Sequence, residues 1–166
     1  MTDRPSGSAP KRIRSADRVR AYLAEHGLAD EIVTFEQSTK TAQMAADAMG
    51  CELGQIVKSL VFIAGETPVL ALVAGDRRGD TGAIATLAGA TGARFADADT
   101  VRAATGFAIG GVSPFDLPPG LMLLADDSLA RYDIVYPAAG TPSSMVRIRL
   151  GHLLELTGAR VARISQ

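Results

Sequence analysis

The chain of 166 residues is 47% hydrophobic and 21% charged, with a formal net charge of −1. Length and composition fit one globular domain, and the near-neutral charge excludes a general nucleic-acid coat protein, which would be strongly basic. The single cysteine, Cys51, excludes a disulfide framework within the chain and fits a reducing compartment.

The chain begins with MTDRPSGSAPKR, which contains proline, glycine and serine but no apolar segment of the kind found in secretory signals. No apolar run reaches the ~18 residues that span a bilayer. We therefore expect a loose tail over residues 1–13, a single domain over residues 14–166, and a cytoplasmic protein with no membrane partner.

The first half of the domain predicts two helices and three strands. Residues 15–27 show helical periodicity, with Ser15 as the cap and Gly27 at the end. Residues 31–36 form a short β-rich run, and residues 41–50 predict the second helix. The apolar runs VKSLVFIAG and PVLALVAG, joined by ETP, predict an antiparallel hairpin inside the fold.

The second half continues this interleaving of helices and strands. The predicted segments are, in order, a helix TGAIATLAGA, a strand ARFA, a helix DADTVRAATG capped by Asp97 or Asp99, a strand GLMLLAD, two strands around the Gly-Thr-Pro turn of YDIVYPAAGTPSSMVRIRL, and a helix GHLLELTG. Because hairpins recur among alternating elements, we expect an α/β fold with a mixed sheet.

The usual catalytic and metal-binding motifs are missing from the chain. There is no HExxH, CxxC, GxSxG or phosphate-loop motif. The only histidines, His26 and His152, lie in predicted helices, where structural roles are expected, and Cys51 has the features of a small buried thiol. We therefore expect no metal, no cofactor and no evident side-chain nucleophile.

Lys58 opens a buried strand and allows two interpretations. Its stem can pack while its ammonium stays in water, as at many strand ends. However, only three of the 17 basic residues are lysines, namely Lys11, Lys40 and Lys58. A compact ammonium at the mouth of a strand also suits a phosphate, a ribose hydroxyl or a carbonyl oxygen.

The stretch TGFAIGGVSPF contains a G-x-x-x-P pattern that runs from Gly110 to Pro114. Glycine allows a positive φ and a close approach of ligand to main chain, while proline stiffens the following backbone. Such a loop can hold successive N–H groups toward an oxyanion, or it can be a simple turn.

Two further segments have both a structural and a functional interpretation. YPAAGTPSS contains Gly140 and Thr141, and it forms either a second polar loop beside a ligand or a surface hairpin. Phe35 alternates with Val33 on the early β-rich run, so it belongs either to the core or to the wall of a pocket.

In this order, VKSLVF, TGFAIGGVSPF and YDIVYPAAGTPSSMVRIRL resemble the YbaK/ProX family, free-standing relatives of the editing domain inserted in bacterial prolyl-tRNA synthetases. The resemblance covers residues from about 15 to 163, and GGVSPF is its most specific piece. It implies a single α/β domain with a mixed, strongly curved β-sheet surrounded by helices. It also implies hydrolysis of the ester between a wrong amino acid and the 3′ end of a tRNA.

The family pattern places its invariant lysine on Lys58 and its substrate-cradling loop on the glycine stretch, with the early aromatic on Phe35. From the pattern and the residues together, we expect Lys58 and Gly110 to be catalytic. The residues expected to bind substrate are Phe35, Gly111, Val112, Ser113, Pro114, Gly140 and Thr141. The implied partners are the acceptor end of an aminoacyl-tRNA and an aminoacyl-tRNA synthetase.

One departure from the family bears on the amino acid. The cysteine-specific branch carries an acidic residue in the strand after the second glycine turn, whereas Arg147 occupies that place in MVRIRL. The glycine loop is closer to the ProX-like side of the family, whose members differ in amino-acid preference. The resemblance therefore leaves the amino acid and the tRNA open.

Three functional hypotheses follow. In the first, amides around Gly110–Ser113 hold the ester carbonyl, Lys58 anchors the terminal phosphate or ribose, and the neighbouring ribose hydroxyl assists water. In the second, the domain binds tRNA or a synthetase without chemistry. The third, a duplex-DNA regulator, lacks support because no recognition-helix motif or long basic stripe is present.

Overall fold

Five α-helices and nine strands alternate along the computed structural model, which describes residues 15–37 and 39–166. The tail predicted over residues 1–13 lies outside the described residues. The helices are α1 (Ser15–Glu25), α2 (Ala42–Met49), α3 (Thr81–Leu87), α4 (Ala98–Thr105) and α5 (Leu150–Thr157). The strands are β1 (Ile32–Thr34), β2 (Ile56–Ala64), β3 (Thr67–Ala74), β4 (Ala93–Phe95), β5 (Met122–Asp126), β6 (Ile134–Pro137), β7 (Ser144–Val146), β8 (Ile148–Arg149) and β9 (Arg160–Ala162).

Polar side chains cap the N-terminal ends of three helices. The sequence predicted such a cap for one of these three, α4. Thr41, Asp80 and Asp97 each accept a hydrogen bond from a backbone N–H in the first turn, at 2.8–3.1 Å. Asp97, rather than Asp99, is therefore the cap of α4. The predicted helix α1 is confirmed, but Ser15 is not its cap, because Ser15 is already helical and its hydroxyl donates to the Gly140 carbonyl at 3.1 Å.

Seven strands form the main sheet, in the order β8-β6-β2-β3-β5-β9, with β4 also paired to β2. The β2–β3 hairpin is antiparallel, as predicted, whereas β6 runs parallel to β2, β5 runs parallel to β3, and β9 runs parallel to β5. The sheet is therefore mixed, and it is curled within a single α/β domain. A separate two-stranded sheet joins β1 to β7.

Hydrophobic residues cover both faces of the central hairpin. Leu70 and Leu72 pack with residues of α1 and α5, while Val69, Ala71 and Val73 pack on the opposite face with α3. Residues 69–74 are fully buried, which confirms the prediction that this apolar run lies inside the fold. None of the described helices combines the length and apolar character needed to cross a bilayer.

The segment 132–150 differs in detail from its prediction as two strands around a turn. Strands β6 and β7 do flank the Gly-Thr-Pro turn, but a single bridge, Ala138 to Met145, joins them. Most of their backbone groups pair elsewhere, since β6 adds to β2 and β8 while β7 adds to β1. The turn therefore carries the chain from the main sheet to the small one.

Candidate active site

One edge of β2 is unpaired in the middle of the strand. Strand β6 pairs with Ile56 and Val57 at one end, and β4 pairs with residues 62–64 at the other. In the described part of the chain, no strand pairs with residues 58–60 on this edge. The curled sheet thus has a gap beside the residue that the sequence singled out, Lys58.

Ser59 presents its backbone polar groups to this gap. The Ala96 amide donates to the Val61 carbonyl at 3.0 Å, so Val61 directs its backbone groups toward the β4 side. Backbone groups alternate direction along a strand, and Ser59 is two residues away, so its N–H and C=O face the same edge. The Ser59 hydroxyl oxygen is buried and has no hydrogen-bond partner among the described residues. The Ser59 backbone therefore offers one donor and one acceptor to a bound group, while its hydroxyl is enclosed by the protein.

The gap opens into a cavity of about 320 Å³. Its walls are β2 over 56–61, the N-terminal end of α2 with 39–42, the end of β4 at Phe95, and the glycine loop at Gly110 and Val112. This volume is at the lower end of small-molecule sites. The lining is mostly apolar with a few polar groups, which is the usual character of a site that orients a small ligand.

Lys58 lies on this cavity as the third residue of β2, and its side chain is half-buried. Its ammonium donates a hydrogen bond to the Arg77 carbonyl. Burial lowers the pKa of Lys58, and the nearby charge of Arg78 lowers it further, whereas Asp76 raises it. Lys58 is half-buried, as expected for a packed stem at a strand end, and its ammonium is bound to a backbone carbonyl at the surface.

An ion pair secures the loop that holds this ammonium. Arg131 binds Asp76 with two hydrogen bonds, of 2.7 and 2.8 Å, and the Arg131 side chain lowers the pKa of the Asp76 carboxyl. The neighbouring residue, Arg77, closes a turn by donating its amide to the Ala74 carbonyl at 2.9 Å. The Arg77 carbonyl, which accepts the hydrogen bond from Lys58, therefore lies on a turn that this ion pair holds in place.

The predicted substrate loop is divided between the cavity and the core. Gly110 and Val112 line the cavity, and Gly110 has a φ of 92°, which favours glycine. Gly111, Ser113 and Pro114 are buried and are not among the lining residues. The Gly111 amide donates to the Ala108 carbonyl at 3.0 Å, so it closes the turn and does not face a ligand.

The second glycine turn supports the first and does not line the cavity. A Cβ on Gly111 would lie 3.2 Å from both the Gly140 carbonyl oxygen and the Thr141 Cα, so the two backbones are in close contact. The Thr141 hydroxyl hydrogen-bonds the Ser144 hydroxyl at 2.7 Å within its own turn. Gly140 and Thr141 therefore pack against the glycine loop from behind.

Phe35 lies behind the cavity wall. It is half-buried and packs in a hydrophobic cluster with Ala45, Ile56 and Met145, which themselves line the cavity. Its amide donates to the Ser143 carbonyl at 2.7 Å. Phe35 therefore belongs to a core cluster, as one interpretation of the sequence had it. It does not line the pocket itself, but it packs against residues that do.

The residues that line this cavity without having been predicted from the sequence include Lys40, Ser59, Phe95 and Ile109. The rarity of lysine could have indicated Lys40, because both lysines in the described residues, Lys40 and Lys58, reach the cavity. Nothing in the sequence distinguishes Ser59 or Phe95, because their exposure to the cavity depends on which strands pair with β2.

Other residues with reactive side chains lie elsewhere. His26 hydrogen-bonds the Tyr22 carbonyl at the end of α1, as predicted, and His152 lies on α5. Cys51 is half-buried rather than fully buried, and this burial raises the pKa of its thiol. Arg147 is exposed, and its amide donates to the Glu31 carbonyl. Within residues 15–37 and 39–166, no group of three histidine, cysteine or acidic side chains could hold a metal ion.

Comparison with known proteins gives consistent results. The family model described as "Aminoacyl-tRNA editing domain" matches residues 36–156. The uncharacterised protein YwhH of Bacillus subtilis is 32% identical over 148 residues, which are 89% of this chain and 94% of YwhH. The multifunctional Ser/Thr-tRNA deacylase ProXp-y of Escherichia coli K12 is 30% identical over 161 residues, 94% of this chain and 93% of the relative.

A solved structure agrees with the fold. A crystal structure of a protein proposed to be a trans-editing enzyme for prolyl-tRNA synthetase superimposes with a TM-score of 0.84 at 42% identity. The match covers 92% of this chain and 97% of that protein. The two proteins therefore share one fold along nearly the whole chain.

Proposed function

The chain belongs to the aminoacyl-tRNA editing domain family, and we propose that it is a trans-editing hydrolase that removes a wrong amino acid from tRNA. Its substrate is then the ester that joins an aminoacyl group to the 3′-terminal ribose. Lys58 and Gly110 act on the ester end, and the remaining wall of the cavity receives the amino-acid side chain. The E. coli relative, named as a Ser/Thr-tRNA deacylase, supports this reaction class.

One observation carries the proposal. A single cavity is lined by Lys58, by Gly110 and Val112 of the glycine loop, and by Ser59, whose backbone N–H and C=O face the unpaired edge of β2. None of these groups is a strong nucleophile, but all of them can orient an ester and stabilise charge. An aminoacyl ester is already activated, so positioning and polarisation are the principal requirements for its hydrolysis.

In the proposed mechanism, the amides of Gly110 and Val112 donate to the ester carbonyl oxygen. The Gly111 amide closes a turn, and Gly110 and Val112 are the residues of the G-x-x-x-P stretch that line the cavity. A preorganised donor of this kind is worth about 3 kcal/mol to the transition state. Lys58 binds the terminal ribose or phosphate and fixes the ester against the loop.

The chemical step consumes one water molecule. The vicinal ribose hydroxyl orients the water, whose oxygen forms a new bond to the acyl carbon. The bond between that carbon and the ribose oxygen breaks, and a proton from water passes to the ribose oxygen. The products are the free amino acid and a tRNA with both terminal hydroxyls restored.

The cavity size limits selectivity for the amino acid. A pocket discriminates by only about 1–3 kcal/mol per methylene, so size alone favours small side chains without strict exclusion. Arg147 does not line the cavity, so its charge leaves the pocket wall unchanged. The acyl groups to compare are therefore alanyl, seryl, threonyl and cysteinyl.

A deacylation panel tests the function. Purified protein is incubated with tRNA(Pro) and with cognate tRNAs that carry each of these four amino acids, and ester loss is followed by acid-gel electrophoresis. We expect hydrolysis of at least one mischarged species and loss of that activity in Lys58→Ala. Binding of every charged tRNA without ester loss would instead favour the non-catalytic binding module.

The proposed partners and location follow from this substrate. The protein acts on the acceptor end of tRNA in the cytoplasm, with a synthetase as a further partner. The solved structure of a proposed prolyl-tRNA synthetase trans-editing enzyme supports this association. Adding prolyl-tRNA synthetase to the deacylation assay tests it, since a functional partnership raises the rate at low tRNA concentration.

A further inference from the structure

Two exposed apolar side chains lie at the mouth of the cavity. Phe95 is 61% exposed and Ile109 is 60% exposed, the two highest values among the large hydrophobic residues that the structure describes. Both line the same cavity, although they come from β4 and from the glycine loop. Exposed apolar groups concentrated at one site mark a surface that binds another molecule.

The Phe95 ring is supported from behind and open in front. Its partner across the β2–β4 pairing is Phe62, whose ring is fully buried. The two ring centroids are 4.4 Å apart, with the planes inclined by 36°. One side of Phe95 therefore rests on the core, while most of its surface remains free. A rigidly supported ring with a free face suits stacking against a planar group.

The substrate supplies one planar group at this position. The proposed function places the ester beside Lys58 and Gly110 inside the cavity, so the ribose follows it toward the opening. The terminal adenine is attached to that ribose and is the next group to leave the cavity. Every nucleobase has an aromatic face, and proteins bind single-stranded ends by stacking bases on aromatic side chains.

We propose that Phe95 is a stacking platform for the 3′-terminal base of the tRNA, with Ile109 as the apolar contact on the other side of the cavity mouth. This inference rests on the proposed function for the identity of the occupant. It assigns Phe95 to binding of the nucleotide and not to the acyl pocket. Phe95 is then a positioning residue that holds the ester in register with Lys58 and the loop.

The test compares three variants on two substrates. Phe95→Leu keeps an apolar cover over Phe62 but removes the aromatic face, Phe95→Tyr keeps the face, and Val161→Ala alters a 49%-exposed apolar residue on β9, at the opposite edge of the sheet. One substrate is a mischarged acceptor-stem RNA. The other is the same RNA with a terminal nucleotide that lacks its base.

On the normal RNA we expect Phe95→Leu to lower kcat/KM by about 5- to 150-fold, the range associated with one base stacked on an aromatic ring. Phe95→Tyr and Val161→Ala keep the wild-type value. On the RNA without the terminal base, wild type and Phe95→Leu have equal and low kcat/KM. Equal activity on the normal RNA, or an equal loss on both RNAs, overturns the proposal.

A binding measurement separates this inference from the proposed function. The probe is the uncharged trinucleotide CCA with a 5′ fluorophore, and Kd is measured by anisotropy at low salt. We expect Phe95→Leu to weaken binding by a similar factor. If wild type binds CCA through Phe95 but cleaves no ester, the proposed function fails and the platform stands. Unchanged CCA binding, or a self-association that Phe95→Leu abolishes, refutes the platform.

Discussion

The Lys58 ammonium donates a hydrogen bond to the carbonyl oxygen of Arg77, which lies on the turn after the neighbouring strand β3. An ammonium has three donors, so two remain for a bound group. Because the Asp76–Arg131 ion pair holds the same turn, Lys58 has a defined position before any substrate arrives. This preorganisation is what a residue that orients an ester requires.

Replacement of Lys58 tests its role directly. We expect Lys58→Ala to reduce deacylation by roughly 100-fold or more, since it removes the cation that fixes the terminal nucleotide in the cavity. Lys58→Arg should restore little, because a planar guanidinium cannot replace a compact ammonium at the same carbonyl. Urea denaturation checks that the fold is intact. A folded Lys58→Ala protein with normal kcat/KM would contradict the assignment.

Gly110 has a matched control elsewhere in the chain. Gly110 and Gly89 both have positive φ, at 92° and 69°, and neither has an atom close enough to clash with an added Cβ. Alanine at either position should therefore cost about 1–2 kcal/mol of unfolding free energy through backbone strain. Only Gly110→Ala should lower kcat/KM, because only this residue lines the cavity. A similar loss of kcat/KM in Gly89→Ala would mean that reduced stability explains the kinetic effect of both substitutions.

The buried Ser59 hydroxyl predicts a gain in stability without a loss of activity. Ser59→Ala removes a buried polar atom that has no partner among the described residues, so the unfolding free energy should rise by about 1 kcal/mol. Deacylation should stay close to the wild-type rate, because the Ser59 backbone, and not its hydroxyl, faces the gap. Ser165→Ala is the control, since this hydroxyl donates to Asp126 at 2.7 Å and its loss should lower the unfolding free energy. A large loss of kcat/KM in Ser59→Ala would show that the hydroxyl reaches the substrate.

Asp126 predicts an acid-dependent loss of stability. Burial would raise the pKa of this carboxyl, but hydrogen bonds from Ser128, the Ile164 amide and Ser165 together lower it below the ordinary aspartate value. A lowered pKa means that this stabilisation is complete above the ordinary aspartate pKa and is lost as pH falls through the folded-state value.

Asp126→Asn should therefore cost about 2–3 kcal/mol at pH 7, because hydrogen bonds to a charged acceptor are lost. The difference from wild type should shrink as the pH falls below the ordinary aspartate value. Urea denaturation between pH 7 and pH 2.5 measures this difference, with the exposed Asp133→Asn as the control. A constant difference across this range would show that the carboxylate charge is irrelevant.

Much of the fold could be predicted from local sequence signals. Asp97 caps its helix because a carboxylate accepts from the first turn wherever the helix lies, and Gly50 ends its helix with a left-handed residue that favours glycine. The β2–β3 hairpin was also predictable, because its two apolar runs are adjacent in the chain. The interpretation of Ser15 failed because the hydroxyl found a partner 125 residues away.

The sequence also indicated Lys58 and Gly110, through the rarity of lysine, the glycine–proline pattern and the family resemblance. It did not distinguish the parts of the loop that line the cavity from those that are buried behind it. Gly111 and Ser113 have the same local context as Gly110, yet Gly111 packs against the Gly140 turn and Ser113 is buried.

The sequence by itself determined the elements, most of their ends, the family and two central residues of the candidate site. Only the tertiary structure decided that β6 and β4 pair with the two ends of β2 and leave residues 58–60 open between them. Strand pairing joins segments that are distant in sequence, so its register depends on the packing of the whole sheet. For that reason the gap, the unpaired Ser59 and the exposed face of Phe95 have no local signature in the chain.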